Sequence, residues 1–343
     1  ALNTVGNTLM VRFRFRRESS DRHAAMQYWD QAVRDSPPDW ENLPKYLHNL
    51  GGAIHGSYRW ETGRLAELDR AIEFSREAVR LSPVNEPLYC RFLNQLGMSL
   101  GLRYGRTGSL ADLREAIESL ETAVQTSPKD SIDLPMALDQ LAVTLRNRYL
   151  RTAERDDLER ALDLEQQSVD RTPPADSSLL PGRLTNLGNI LLSRATYSSI
   201  EADLDRAVSS FERAVKLTPP GDIQFASRLN NWGNGLSARY ARTGILADLD
   251  QAIGNYQHAI QLSPRNSPDL PSRLYNLGNS LRERYVRMQV VGDLEGAREA
   301  YRQACTKGLE RDLEWALGAS RNWGDWASAR DSWDEATEAY DYG

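Results

Sequence analysis

A small residue returns at nearly constant intervals along the whole chain, and this repeat constrains the fold more than any other feature. Glycine, or once alanine, stands at positions 6, 51, 97, 142, 188, 233, 278 and 324, at intervals of 45 or 46 residues. A period of this length indicates one supersecondary unit that is copied many times. Because such a unit cannot bury its apolar face alone, the copies must stack, which produces a long surface rather than a closed pocket. We call the recurring position the glycine slot and count the other positions of a repeat from it.

The residues on either side of the glycine slot have the spacing of an amphipathic helix, which we call helix A. In the seventh copy Leu274, Leu277, Leu281 and Tyr285 follow one another at intervals of three or four residues. This spacing places the four side chains on one stripe of an α-helix. Pro271 precedes them at a position where the first turn of a helix tolerates proline.

The second half of each copy predicts another helix, which we call helix B. Leu113, Ala116 and Ile117 keep helical spacing in the third copy, and Ser109 stands where a capping residue is favoured. Pro128 ends the run, because proline cannot continue a helix. No segment shows the alternation of a strand. The sequence therefore predicts an all-α solenoid without a β-sheet.

The copies also predict how the chain is divided. Seven helix pairs with a period of 45–46 residues are expected over residues 1–308, and a shorter terminal pair is expected over residues 309–343. The first copy begins inside helix A, so its pair is expected to be truncated at its N-terminal end. We therefore expect this sequence to be part of a longer protein.

Composition excludes several classes of function. The 42 basic and 48 acidic residues give a formal net charge of −6, which argues against binding nucleic acid through bulk positive charge. Cys90 and Cys305 lie too far apart in sequence to form a disulfide framework, which favours a reducing, cytoplasmic location. No segment approaches the roughly 20 apolar residues of a membrane span. We expect no cofactor and no membrane partner.

The repeat resembles the tetratricopeptide (TPR) repeat. Leu184, Leu187-Gly188, Leu191, Ala207 and Pro219 follow the TPR order of large apolar residues, small residues and a closing proline. The unit is longer than the usual 34 residues. It is similar to the long repeats found upstream of CHAT (caspase-like) domains and to the repeats of kinesin light chains. The resemblance implies a right-handed α-solenoid superhelix of antiparallel helix pairs, with helix A lining a concave groove that holds peptides.

A row of asparagines marks one face of helix A, opposite the leucine stripe. Slot −2 carries asparagine at Asn49, Asn186, Asn231, Asn276 and Asn322, and slot +1 carries it at Asn7, Asn189, Asn234 and Asn279. Amides both donate and accept hydrogen bonds, so this row could hold the backbone of a peptide. The resemblance places it in the concave groove. The alternative is that these amides bond neighbouring repeats or face solvent. Under the groove hypothesis, alanine at Asn186, Asn231 and Asn276 should leave folding nearly unchanged.

A second row is basic and aromatic. Arginines recur at slots +6 and +9, with tyrosines at slot +7, in Arg103–Arg106, Arg148–Arg151, Arg239–Arg242 and Arg284–Arg287. Such a row could form a track for single-stranded nucleic acid. The favoured interpretation is structural: the arginines complement the end of helix A and pair with acidic residues at the start of helix B, among them Asp203, Asp205, Asp248 and Asp250.

Four tryptophans lie in the terminal pair, at Trp315, Trp323, Trp326 and Trp333. They either pack a capping repeat or form a surface for another domain, because a large exposed aromatic patch usually marks an interface. The histidines His23, His48, His55 and His258 occupy different slots and have no diagnostic spacing to the cysteines. We therefore expect no catalytic site and no metal site.

The preferred function is a non-catalytic scaffold that binds a peptide or protein segment in its groove. In a larger protein it would be the sensing or recruiting region, with a CHAT-like effector domain as one potential partner. Two alternatives are a substrate-positioning part of a TPR-CHAT-type peptidase and a purely architectural assembly module.

Overall fold

The computed structural model describes residues 1–16, 18–58, 63–172, 178–198, 200–310 and 313–343, and these residues contain helices but no strand. The predicted all-α fold is confirmed. The helices are α1 Leu2–Arg16, α2 Ser19–Arg34, α3 Leu43–Ser57, α4 Leu65–Leu81, α5 Tyr89–Thr107, α6 Leu110–Thr126, α7 Leu134–Thr152, α8 Arg155–Asp170, α9 Leu180–Ala195, α10 Glu201–Lys216, α11 Phe225–Thr243, α12 Leu246–Leu262, α13 Leu270–Met288, α14 Val291–Leu309, α15 Leu313–Ser328 and α16 Trp333–Tyr340.

Odd-numbered helices are the A helices and even-numbered helices are the B helices. Each A helix packs against the B helix that follows it, as expected for helices joined by short loops. A helices also contact the A helices of adjacent repeats, for example α3 with α5 and α11 with α13. The chain forms two compact units, Ala1–Pro174 and Ala175–Gly343. The sequence-based division at residue 308 and the handedness of the superhelix stay predictions.

The glycine slot is the place where helix A meets a large side chain of its own helix B. A Cβ atom on Gly233 would lie 2.6 Å from Cε1 of Tyr256, and one on Gly188 would lie 2.5 Å from Cε1 of Phe211. Both rings are almost completely buried. Carbon atoms cannot approach so closely, so only glycine permits this contact. The repeated glycine of the sequence therefore corresponds to a repeated close contact between helix A and helix B.

The fourth repeat departs from this arrangement at both positions. Ala142 takes the glycine slot, and Glu165 stands at the position that corresponds to Phe211 and Tyr256 of the next two repeats. Both residues are fully buried. The extra methyl group thus coincides with the loss of the ring, which is what the steric argument requires.

An arginine at slot +6 joins helix A to its helix B. Nε and Nη2 of Arg239 each donate to one oxygen of Asp248 over 2.7 Å, and Nη1 donates over 3.0 Å to Asp205 of the preceding B helix. The fork geometry suits a bidentate carboxylate contact. Its hydrogen bond to Asp248 raises the pKa of Arg239. The same A-to-B pair recurs as Arg12–Asp21, Arg103–Asp112, Arg148–Asp157, Arg194–Asp203 and Arg284–Asp293.

One histidine is held in an apolar position between repeats. His48 in α3 is half-buried, with its ring centroid 5.0 Å from that of Phe92 in α5. Its Nδ1 atom is buried and makes no hydrogen bond among the described residues. Burial lowers the pKa of His48 to about 4, with a smaller contribution from Arg91. His48 is therefore neutral in the folded protein near neutral pH.

We expect Gly233→Ala to destabilise the protein. Overpacking against Tyr256 costs about 1–3 kcal/mol, which outweighs the roughly 1 kcal/mol that alanine contributes through helix propensity. The matched control is Gly254→Ala in α12, where a Cβ atom would meet nothing within 4 Å. This control should stabilise the protein by up to about 1 kcal/mol. Denaturant unfolding of both variants measures the difference, and equal effects of the two substitutions would contradict the steric role of the slot.

We also expect His48 to make stability depend on pH. The pKa of His48 is 6.5 in the unfolded chain and about 4 in the folded protein. Between these two pH values, His48 binds a proton in the unfolded chain but not in the folded protein. Stability should therefore fall on acidification, by about 1–2 kcal/mol between pH 7 and pH 5. His48→Gln cannot titrate and should remove this part of the dependence. Urea unfolding of the wild type and of His48→Gln at both pH values measures this dependence. An equal change in the free energy of unfolding for the two proteins would show that His48 is not responsible.

Candidate protein-binding face of the A helices

The slot −2 amides lie between adjacent A helices and donate hydrogen bonds to the preceding repeat. Nδ2 of Asn276 in α13 donates to Oδ1 of Asn230 over 3.2 Å and to Oδ1 of Asn234 over 3.1 Å, both in α11. Both N–H groups of this amide are thereby used. Asn276 is half-buried. It connects two repeats through hydrogen bonds and does not simply face solvent.

The same pattern occurs at two other slot −2 asparagines. Nδ2 of Asn49 donates to Oδ1 of Asn3 over 3.0 Å and to Oδ1 of Asn7 over 3.2 Å. Nδ2 of Asn322 donates to the hydroxyl of Tyr275 over 2.6 Å and to Oδ1 of Asn279 over 3.3 Å. The donors and acceptors are 42–47 residues apart in sequence. The repeat length therefore brings equivalent positions of neighbouring copies together.

Aromatic side chains of the B helices reach this row past the glycine slot. The hydroxyl of Tyr256 donates to Oδ1 of Asn234 over 2.9 Å, and the hydroxyl of Tyr301 donates to Oδ1 of Asn279 over 2.7 Å. In the first repeat, Nε1 of Trp29 donates to Oδ1 of Asn3 over 2.9 Å. An indole N–H can only donate, so this contact sets the orientation of the Asn3 amide. Burial raises the pKa of both tyrosines, which keeps their hydroxyl groups protonated.

These contacts leave a regular set of amide atoms without partners among the described residues. At slot −2 the unused atom is the carbonyl oxygen, as in Asn49, Asn276 and Asn322. At slot +1 it is the NH₂ group, as in Asn234 and Asn279, whose oxygens already accept two hydrogen bonds each. The face can therefore accept hydrogen bonds at one slot and donate them at the other.

The remaining asparagines of the predicted site lie in α9 and α11. Asn186, Asn189 and Asn231 are all half-buried. Asn186 and Asn189 both interact with other groups of the protein. The amide of Asn231 makes no hydrogen bond within the described ranges. The row is thus structurally uneven, although its sequence is regular.

The row is interrupted in residues 1–174. Gln95 and Gln140 take slot −2, and Gln95 donates over 3.2 Å to Ser99 of its own helix. Met98 and Val143 take slot +1, so no amide donor stands there. A cavity of about 190 Å³ opens at this place, and its lining includes Met98, Val143 and Gln140. The complete asparagine pattern therefore belongs to residues 175–343.

The basic row is engaged within the fold. Arg103, Arg239 and Arg284 each contact two aspartates, so carboxylates neutralise the inner arginines. This confirms the predicted pairing with Asp205, Asp248 and Asp250. The slot +7 tyrosines are buried at Tyr240 and half-buried at Tyr104, Tyr149 and Tyr285. The outer arginines, at slot +9, stay exposed.

The four terminal tryptophans have different surroundings. Trp323 and Trp326 belong to the apolar core of the last repeats, and Nε1 of Trp323 donates to Glu335 over 2.7 Å. Trp315 is half-buried, with its ring centroid 5.4 Å from that of Tyr275. Trp333 is 63% exposed. An interdomain surface at this end would therefore consist of Trp333 and part of Trp315.

The remaining candidate groups are buried or scattered. Both cysteines are free thiols in the interior, and burial raises the pKa of Cys305 to about 12. Such a thiol is a poor nucleophile. Across the described part of the chain, no three His, Cys, Asp or Glu side chains are grouped so as to hold a metal ion. No helix within it is long and apolar enough to cross a membrane.

No family model and no curated protein sequence matches this chain. Solved structures do resemble it. The apo form of the quorum sensor NprR from B. thuringiensis is 13% identical, with a TM-score of 0.57, over 99% of this chain and 86% of that one. The human IFIT1 dimer with PPP-AAAA is 16% identical, with a TM-score of 0.55, over 94% of this chain and 68% of that one. A thermophilic TPR protein from Thermus thermophilus is 21% identical, with a TM-score of 0.46, over 66% of this chain and 97% of that one.

At these identities the likeness concerns the fold alone, which is an all-α array of helix pairs. The association with a CHAT domain stays a prediction.

Sequence reasoning did not find the aromatic links to the asparagines. The signal was present, because Tyr256 and Tyr301 stand at the same position of two of the four repeats that carry asparagine at slot +1. Slot +1 and the ring position are 22 residues apart in both repeats. The period of the sequence alone does not show that the ring passes the glycine slot and reaches the amide.

We expect Asn276→Ala to lower the free energy of unfolding, unlike the small effect expected from sequence alone. Two hydrogen bonds between neutral groups contribute about 1–3 kcal/mol, while alanine returns less than about 1 kcal/mol of helix propensity. Asn231→Ala is the matched control, because that amide makes no hydrogen bond in the described residues. It should be neutral or slightly stabilising. Chemical denaturation compares the two, and a control that destabilises as much as Asn276→Ala would refute the inter-repeat contribution.

Proposed function

We propose that the A-helix face of residues 175–343 binds an extended segment of a partner protein through its backbone. The observation that carries this proposal is the complementary set of unused amide atoms: carbonyl oxygens at slot −2 of Asn276 and Asn322, and NH₂ groups at slot +1 of Asn234 and Asn279. A polypeptide backbone offers one donor and one acceptor at every residue other than proline. The A-helix face can therefore form hydrogen bonds with a ligand backbone without contacting particular side chains of the ligand.

The spacing of the A helices suits an extended ligand. Packed helices lie about 8–10 Å apart, and an extended or polyproline-like chain advances about 3.1–3.3 Å per residue. About every third residue of such a segment would meet the next A helix. Asn234 and Asn279 would then donate to two carbonyl groups of one bound segment.

Charge favours a protein ligand over a nucleic acid. Aspartates neutralise the inner arginines, and the chain carries a net charge of −6. Phosphate binding depends on unneutralised cations, whereas backbone binding depends on amides. A recruiting role in a larger cytoplasmic protein, with a CHAT-like effector as one potential partner, rests on the sequence resemblance and stays a prediction.

The test replaces Asn234 and Asn279 together by aspartate. Each carboxylate keeps an oxygen for the tyrosine hydroxyl and for the slot −2 amide, but removes the N–H groups that face the ligand. A pooled library of random 12-residue peptides is selected on the wild-type protein, and the strongest binder is measured. The double variant should bind this peptide at least about tenfold more weakly, because a ligand carbonyl would face an anionic oxygen.

The matched control is Asn266→Asp, which makes the same kind of change at an exposed loop position. It should bind the peptide like the wild type. Thermal melting of all variants separates lost binding from lost folding. Unchanged binding by the folded double variant would place the interface away from this face and defeat the proposal.

A further inference from the structure

The fifth repeat lacks the aromatic residue that most other repeats carry in the last turns of helix A. Slot +7 carries tyrosine in five other repeats, at Tyr58, Tyr104, Tyr149, Tyr240 and Tyr285, but the fifth repeat has Ala195 there. Helix α9 also ends at Ala195, after 16 residues, while α11 and α13 each run for 19 residues. Both differences remove side-chain volume from the same place.

A cavity of about 260 Å³ lies at this position, between the end of α9 and helix α11. Its walls include Ala195, Leu204 and Ala238, and Arg242 borders it. Nη2 of Arg242 lies 3.5 Å from the carbonyl oxygen of Ala195. The cavity is therefore largely apolar, with one cation beside it.

The next repeat shows what normally fills such a place. The ring of Tyr240 is buried in a core cluster that contains Leu249. Its hydroxyl is 3.5 Å from Oε1 of Glu283. Burial raises the pKa of Tyr240, and the nearby charge of Arg287 opposes this rise. Tyr240 thus shares a core cluster with a leucine of its own repeat, contacts Glu283 of the following repeat and lies near Arg287.

The cavity has the same neighbours one repeat earlier. The positions of Leu249, Glu283 and Arg287 correspond, 45 residues earlier, to Leu204, Ala238 and Arg242. Leu204, Ala238 and Arg242 all border the cavity. The fold therefore keeps the surroundings of a tyrosine ring at a position where the chain supplies only a methyl group. Ala238 in place of Glu283 makes the wall more apolar.

We propose that this cavity receives an aromatic side chain of the bound protein segment, with a phenol ring as the best fit. The inference rests on the proposed function for the source of the ring and on the internal repeat for its shape. Buried aromatic side chains in pockets dominate the affinity of many interfaces. Arg242 can also interact with the face of an aromatic ring. The cavity would give sequence preference to a face that otherwise binds backbone.

The first experiment uses p-cresol, the side-chain analogue of tyrosine, on the full chain. We expect the methyl resonances of Ala238 and Leu204 to shift with a dissociation constant on the order of 1 mM. Ala195→Tyr should abolish these shifts and raise the melting temperature by about 2–4 °C, because it fills the cavity from within. Ala195→Leu is the second filling variant in case the larger ring does not fit the shorter helix.

A gain-of-site variant completes this experiment. Tyr240→Ala removes the ring of the next repeat and should create a second site, so that two p-cresol molecules bind per chain. Absence of p-cresol shifts at Ala238 in the wild type would overturn the proposal. Equal p-cresol binding by the wild type and by a folded filling variant would also overturn it, because the probe would then bind elsewhere.

The second experiment identifies the source of the ring. Two pooled peptide libraries are compared, identical except for tyrosine or alanine at a fixed central position. The wild-type protein should retain the tyrosine library in preference, and Ala195→Tyr should lose this preference. Equal retention of the two libraries, with p-cresol still bound in the cavity, would overturn the assignment to a partner side chain in favour of a small molecule. Retention of neither library would count against the proposed function itself, while the p-cresol result reports on the cavity independently.

Discussion

The contact between the glycine slot and a ring of helix B determines how closely the two helices of a repeat can pack. Because Gly233 has no side chain, the ring of Tyr256 lies where a Cβ atom would otherwise be. The ring then extends past helix A, and its hydroxyl group reaches Asn234 on the next face of that helix. One missing methyl group therefore controls packing within the repeat and the position of an amide on the candidate binding face. The departure at Ala142, opposite Glu165, follows the same steric rule.

The arginine–aspartate pairs define a different property of the molecule, which is its surface chemistry. Arg239 and Arg284 use their guanidinium groups to join one A helix to two B helices, so their charges are compensated inside the array. Apart from the exposed arginines at slot +9, neutral amides are therefore the recurring polar groups of the A helices. Neutral amides suit a polypeptide backbone, and the net charge of −6 disfavours a nucleic acid.

The asparagines join neighbouring repeats, and we propose that they also hold the ligand, a role that sequence reasoning treated as an alternative. An amide has two donor hydrogens and two acceptor sites, and the connection between repeats uses only the donors of Asn276 and only the oxygen of Asn234. The other half of each amide stays available for a ligand. Stability and binding are therefore separable by substitutions that remove one half and keep the other. In our proposal, the cavity beside Ala195 receives one side chain of a segment whose backbone the amides hold.

The sequence by itself determined the period, the alternation of two helix types and the ion-pair partners such as Asp248, because these depend on local spacing. It also showed that Ala195 interrupts the tyrosines. It could not show which amide atoms stay unpaired, because the bonds of Asn276 join residues 42 and 46 positions apart and depend on how two repeats stack. Stacking likewise buries Trp323 but leaves Trp333 exposed, and makes Leu277 only half-buried although it continues the leucine stripe. The tertiary structure decided these points because burial and hydrogen bonding between repeats depend on which side chains face each other across helices that are distant in sequence.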